Sequence, residues 1–319
     1  MKIVITGAAG FVGSALSLRA LEAGYEVFGI DGLLSNLYSN EQKLANLATL
    51  SKHKNFNLLE ADLRNDDFSY FIKGADVVVH CAAMPGLDLS WDNFELYNSC
   101  NLSATNMLIH QLDLNSIRKF IFISTSSVYG KLALGDETSA VKPISPYGVT
   151  KAAAEMLIHA SAGVTGLPIV ILRLFSVYGP GQRADMAYHK LIKSMILNEQ
   201  ISIYGDGTQS RTNTYIDDVT TAILLTISHG KIGETYNIGG SQDISLNHSL
   251  KIMEEIMHIS PNLLYLPPKK GDQVKTKAIF LKAQKHIGYS PGTQFHSGLS
   301  KQVLWQQALY SKMQPNSSY

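Results

Sequence analysis

The first thirteen residues constrain this chain more than any other segment. A short β-branched run, Ile3–Thr6, leads straight into Thr6-Gly7-Ala8-Ala9-Gly10-Phe11-Val12-Gly13, and an amphipathic stretch near 11–23 follows. This is a strand, a glycine loop and a helix start in immediate succession. Gly7 permits the tight turn, Gly10 lets backbone amides approach an anion, and Gly13 lets the helix pack closely on the strand. The helix N-terminus adds unpaired N–H donors and partial positive charge. In that context the loop implies a dinucleotide pyrophosphate, with Gly7, Gly10, Phe11, Val12 and Gly13 among its contacts.

The rest of the first half repeats the rhythm. Runs at Glu26–Ile30, Phe56–Glu60, Asp76–His80, Lys119–Ser124 and Pro168–Leu174 alternate with helical stretches near 66–73, 92–113 and 146–164. Alternation of this kind predicts an α/β protein with a doubly wound parallel sheet covered on both faces. Val77-Val78-Val79 is continuously apolar, as a strand buried on both sides should be. After Phe175 the rhythm changes. A turn at Tyr178–Gly181 precedes a helix near 185–197, a strand at Ile201–Tyr204 and a helix within Tyr215–Ser228, and Thr235–Ile238 reads as a strand returning to the main sheet. The expected division is a nucleotide-binding domain of 1–175 plus 215–240, and a smaller α/β substrate lobe of 176–214 plus 241–319. The tail, Gln314–Tyr319, is expected to fray.

Charge excludes some partners. Lys and Arg total 27 against 26 Asp and Glu, so nothing suggests nucleic acid or an anionic membrane. No apolar run approaches the ~20 residues of a membrane span, and the start is too quickly broken by glycine for a signal peptide. Cys81 and Cys100 are expected to be reduced thiols in a cytoplasmic protein. No metal site is expected.

Asp31 ends the second strand, where an acid can accept hydrogen bonds from an adenosine ribose diol and repel a 2′-phosphate. NAD is therefore expected in preference to NADP. Asp62-Leu63 follows the third strand and can contact adenine. Tyr147 and Lys151 stand four apart ahead of an alanine-rich helix, so they share one face. A nearby ammonium lowers a tyrosine pKa from about 10, which would make Tyr147 a general base. Ser124-Thr125-Ser126-Ser127 places four hydroxyls at the end of the fifth strand, facing the crevice where such sheets bind ligands. One of them can relay a substrate proton to Tyr147.

Together these pieces resemble the extended short-chain dehydrogenase/reductase family, specifically its nucleotide-sugar epimerases and dehydratases. The match runs through Thr6–Gly13, Asp31, Asp62-Leu63, His80-Cys81-Ala82-Ala83, Asn101, Thr125–Gly130, Tyr147/Lys151, Leu172–Phe175, Val177–Pro180 and Arg211–Asp218, in the family's order. The resemblance implies a Rossmann fold. It implies Tyr147 as the base, Lys151 on the nicotinamide ribose and Thr125 as hydroxyl partner. Cys81, Ala82, Ala83, Met84 and Phe175 would line NAD largely through backbone, and Asn101 would fix the cofactor side. Family dehydratases carry an Asp-Glu pair after the threonine, whereas Ser126 and Ser127 stand here, so elimination lacks its proton carriers.

The stretch looks most like UDP-glucuronate 4-epimerases, acting through a transient 4-keto sugar on UDP-glucuronate or a related UDP-hexose. Thr125, Ser126, Ser127 and Ser176 would restrain the carboxylate. Arg183 and Arg211 suit the diphosphate, and Asp272 the nucleotide ribose. The resemblance also implies a homodimer through helices near 92–113 and 146–164, and polysaccharide biosynthesis as a setting. Asp88 would repel a substrate carboxylate unless it points to solvent. The competing readings are a dehydratase or decarboxylase using Asp88, Cys81 or Cys100, and a non-catalytic NAD-sensing protein.

Overall fold

In the computed structural model, residues 1–36, 38–268 and 275–311 are described. Asp272 and the expected frayed tail lie outside them. Seven parallel strands form the main sheet: β1 (Lys2–Thr6), β2 (Glu26–Asp31), β3 (Phe56–Glu60), β4 (Val77–His80), β5 (Lys119–Thr125), β6 (Ile169–Leu174) and β7 (Thr235–Ile238), in the order β7-β6-β5-β4-β1-β2-β3. Chain direction reverses its walk across the sheet at β1, and ligands bind such sheets at that switch point, beyond the strand ends. β7 does return to the sheet, pairing Thr235–Ile238 with Ile171–Leu174.

One face of the sheet buries Ile3, Ile5, Val77, Val79, Ile121, Val170 and Leu172 under the helices Phe11–Glu22 (α1) and, further along the chain, Ile216–His229. The other buries Val4, Val78, Phe120, Phe122 and Ile171 with Leu108 and Ile158. The alternation within single strands is the period-2 pleat with both faces covered. A third cluster, of Tyr178, Ile192, Ile203, Met253, Leu299 and neighbours, unites the later segments and also holds Phe11 of α1.

Two sequence expectations need correction. The stretch 92–113 is not one helix. Helical turns at Leu89–Asp92 and Phe94–Asn98 run into a wide π-helical turn, Ser99–Ser103, before the α-helix Ala104–Gln111. The π turn turns Asn101 inward, and such bulges recur at functional sites. The expected 66–73 helix is a single turn, Ser69–Ile72. A helix at Asn40–Leu50 was not anticipated. Its signals were present: Ser39 accepts a hydrogen bond from the Glu41 N–H at 3.1 Å as N-cap, and Leu44, Leu47 and Leu50 recur every three residues. Its polar face hides it from a search for apolar runs.

Candidate active site

A cavity of about 510 Å³ opens at the switch point, between the glycine loop, the ends of β2–β6 and the segment 183–187. It is lined by Gly7, Gly10, Phe11, Val12 and Gly13, by Asp31, Asp62 and Leu63, by Cys81–Met84, and by Thr125, Ser126, Ser127, Tyr147, Lys151, Ser176, Arg183 and Arg211. One structure thus brings nearly all the residues read from the sequence to one wall or another.

The glycine loop fits a pyrophosphate. Gly7 has φ +69°, and a Cβ there would stand 2.8 Å from the Ala82 nitrogen. A Cβ on Gly13 would lie 2.0 Å from the Gly7 carbonyl oxygen. No side chain can occupy either place, so backbone reaches the cavity. Gly10 is the N-cap of α1 with no side-chain cap bond and no acid in the first turn, leaving the N–H donors for an anion. Asp31 accepts from the Ala9 N–H at 3.0 Å and the Leu33 N–H at 2.9 Å, with Lys43 Nζ 3.7 Å away. Asp62 is gripped by Arg64, whose Nε lies 2.9 and 3.0 Å from its two oxygens, and that bond holds its carboxyl below the usual carboxylate range. The glycine-shaped cradle, the acid at the end of β2 and the open helix end together fit NAD.

Tyr147 rides the first turn of the helix Pro146–Thr165. Ser145 caps that helix by accepting from the Gly148 N–H at 3.1 Å, and Pro146 fits the first turn. The expected effect of Lys151 on Tyr147 is corrected here. Burial pushes the Tyr147 phenol above its ordinary value, and the opposing influences are a hydrogen bond with Thr125 and the charge of Arg183. Lys151 is 1% exposed and sets its ammonium 3.9 Å from the centroid of the Phe122 ring on β5. Burial pushes Lys151 itself down to about 7, against the raising effects of Glu155 and then Cys81. The charge of Lys151 is felt at Cys81 and His80, both of which it lowers.

Beneath the site runs a buried polar chain. Glu155 and Arg173 are paired (Nη2 to Oε2, 2.6 Å), Ser124 Oγ donates to Glu155 at 2.5 Å, Arg173 donates to the Tyr129 hydroxyl at 2.9 Å, and Tyr129 donates to Asn237 at 2.7 Å. It ties β5, β6 and β7 to the helix that carries Tyr147 and Lys151. Asn101 clamps the strand-end loop rather than lining the cavity. Its oxygen accepts from the Met84 N–H at 2.6 Å, and its nitrogen donates to the Met84 carbonyl and the Thr150 hydroxyl, each at 3.0 Å. Phe175 also lies off the cavity. Its ring packs with Val128, Tyr129, Ala133 and Ala152, and its N–H and carbonyl are taken by Ile238 and Thr214. His80 is wholly buried between Thr6 and Thr105, which holds it neutral and structural.

The sequence reading missed Tyr38, Lys43, Arg64 and Asp185, all of which line the cavity. Lys43 belongs to the unanticipated helix, and Asp185 pairs bidentately with Arg183 at 2.9 Å on both arms. Asp88 is exposed and is not among the residues that line the cavity.

Known proteins place this architecture. The NAD dependent epimerase/dehydratase family model matches residues 3–239. A UDP-glucuronic acid 4-epimerase from Bacillus cereus, solved with UDP-glucuronic acid and NAD, superposes with a TM-score of 0.94 at 39% identity, covering 97% of this chain and all of that one. A UDP-glucuronate 4-epimerase of Thermodesulfobacterium geofontis is 32% identical over 95% of each chain. The dTDP-glucose 4,6-dehydratase DesIV of Streptomyces venezuelae, with NAD bound, has a TM-score of 0.89 at 26% identity, covering 98% of each chain. The chain belongs to the NAD-dependent epimerase/dehydratase family of the extended short-chain dehydrogenases/reductases.

Proposed function

We propose that this chain is an NAD-dependent epimerase that inverts C4 of UDP-glucuronate or a closely related UDP-sugar. The observation that carries the reading is the convergence of Thr125, Tyr147 and Arg183 on one cavity with the glycine loop, with Ser126 and Ser127 lining it where family dehydratases carry an acid pair. NAD, when bound, supplies the hydride acceptor and donor. The chain's own part is proton traffic and orientation. Tyr147 Oη takes the proton of the C4 hydroxyl, with Thr125 as its hydroxyl partner and the charge of Arg183 opposing the rise that burial imposes on the phenol. The same pair returns the proton after the 4-keto sugar has presented its other face. Ser126 and Ser127, with Ser176 opposite, hold the carboxylate away from the alignment that would expel CO2. Arg183, whose charge reaches Tyr147, meets the anionic part of the substrate, and Arg211 the diphosphate.

Elimination needs a carboxylate or thiolate that can move protons at neutral pH. Burial pushes Cys81 up to about 12 and raises Cys100, Asp88 faces solvent, and Asp185 is committed to Arg183. The dehydratase and decarboxylase reading is therefore weaker, although the fold alone admits it. The later cluster around Tyr178 and Ile192 is proposed as the substrate lobe. Exposed Val149 (46%), Met156 (64%) and Trp91 (60%) near the two helices named for pairing support a second copy of this chain there. Incubation with a panel of UDP-sugars tests the function. An isobaric 4-epimer from UDP-glucuronate is expected, and a product lighter by CO2 or water would overturn it.

A further inference from the structure

Arg183 follows a turn that should be loose. Gly179 (φ +131°) and Gly181 (φ +84°) flank Pro180, and glycine spends the most conformational freedom on ordering. The turn is held from beneath by the helix Phe295–Ser311. Gln302 Oε1 accepts the Gly179 N–H at 2.9 Å, and Gln302 Nε2 donates to Gln182 Oε1 at 2.6 Å, across 120 positions of sequence. Gln182 Oε1 also accepts from the His189 N–H at 2.9 Å, and its Nε2 donates to the Val177 carbonyl at 3.0 Å. Gln306, one turn along, donates to the His189 carbonyl at 3.0 Å. From the cofactor side, Gln42 donates to the Gly181 carbonyl at 2.5 Å.

Gln182 is 2% exposed, and Gln302 and Gln306 are fully buried. Three buried amides gain little net stability over well-packed apolar side chains. What a satisfied network does confer is one geometry. This one converges on the turn ahead of Arg183, whose partner Asp185 and neighbour Tyr147 line the reacting end of the cavity.

We propose that Gln302 is a positioning residue for the sugar-nucleotide site: through Gly179 and Gln182 it fixes the turn that aims Arg183. This rests on Arg183 meeting the substrate as proposed above. The test uses the NAD-loaded enzyme with UDP-glucuronate and compares Gln302→Leu, Gln302→Glu and Arg183→Gln with the unaltered chain. Melting temperature and bound NAD are measured alongside KM, kcat and the pH–rate profile. Gln302→Leu should raise KM about tenfold or more, a loss of ~1.4 kcal/mol, with NAD retained.

Gln302→Glu is the sharper arm. Protonated, it keeps both the acceptor for Gly179 and the donor for Gln182. Ionised, it loses the donor and confronts Gln182 Oε1 with negative charge. Its KM relative to the unaltered enzyme should therefore climb as pH rises from 6 to 9, a signature that a merely structural role does not give. A KM ratio near one at every pH, in either folded variant, overturns the proposal. If Gln302→Leu does not fold, the pH dependence of Gln302→Glu decides alone. Arg183→Gln separates the two readings. An altered KM there with normal Gln302 variants sinks the positioning role only, and a normal KM in Arg183→Gln sinks the role of Arg183 and this inference with it.

Discussion

Replacing Lys151 with Met should stabilise the NAD-free protein below pH 7. The lysine is 1% exposed, and burial pushes it from 10.5 to about 7. At about 1.4 kcal/mol per pK unit, holding the charged form in place costs on the order of 5 kcal/mol. Met has similar length and no charge to desolvate. The sign with pH is fixed by proton counts. Between about 7 and 10.5 the unfolded chain holds the Lys151 proton and the folded chain does not, so the stability of the unaltered protein rises with pH across that window. Urea unfolding of both NAD-free proteins from pH 6 to 9.5 measures the difference. Lys151→Met should be ahead by about 5 kcal/mol at pH 6, and its lead should shrink steadily above pH 7. A variant less stable at pH 6, or a difference that does not vary with pH, would refute the reasoning.

The active site and its foundation give two more predictions. Thr125→Val removes the hydrogen bond that opposes the upward push of burial on Tyr147. The acidic limb of kcat/KM should move to higher pH and the rate at pH 7 should fall on the order of 10²-fold, whereas an unmoved limb contradicts the assignment. Glu155→Leu and Arg173→Met should each cost about 3–5 kcal/mol in urea unfolding, because each leaves a buried charge alone. The double variant should cost well below their sum, and additive losses would mean the pair is not coupled as its geometry implies.

Much of this protein was legible in its residues because two kinds of signal are local. The glycines at Gly7 and Gly13 are dictated by backbone clearances of 2.8 and 2.0 Å, which no side chain satisfies. The apolar strands Val77–His80 and Ile169–Leu174 announce themselves by burial on both faces. Other features depend on distant partners and were not legible. Nothing around Lys151 says that its ammonium lies over the Phe122 ring, 29 positions earlier. The polar helix Asn40–Leu50 earned its place through bonds to Leu33, Leu34, Gly181 and Ala9, all made by side chains that alone read as solvated surface. Asn101 was expected to fix the cofactor side. It reaches Met84 only because the helix widens into a π turn, which no periodicity predicts. Phe175 matched the family motif but packs into a separate apolar cluster, between Leu174 and Ser176, which do line the cavity.

The most direct test follows a single atom. UDP-glucuronate carrying deuterium at C4 would be incubated with the enzyme in ordinary water, and the product examined by mass and proton NMR, with Tyr147→Phe as control. The account predicts the C4-inverted sugar with deuterium still on C4, and no conversion by the Tyr147→Phe protein although it retains NAD. Protium at C4 of the product, or inversion undiminished without the Tyr147 hydroxyl, would contradict it.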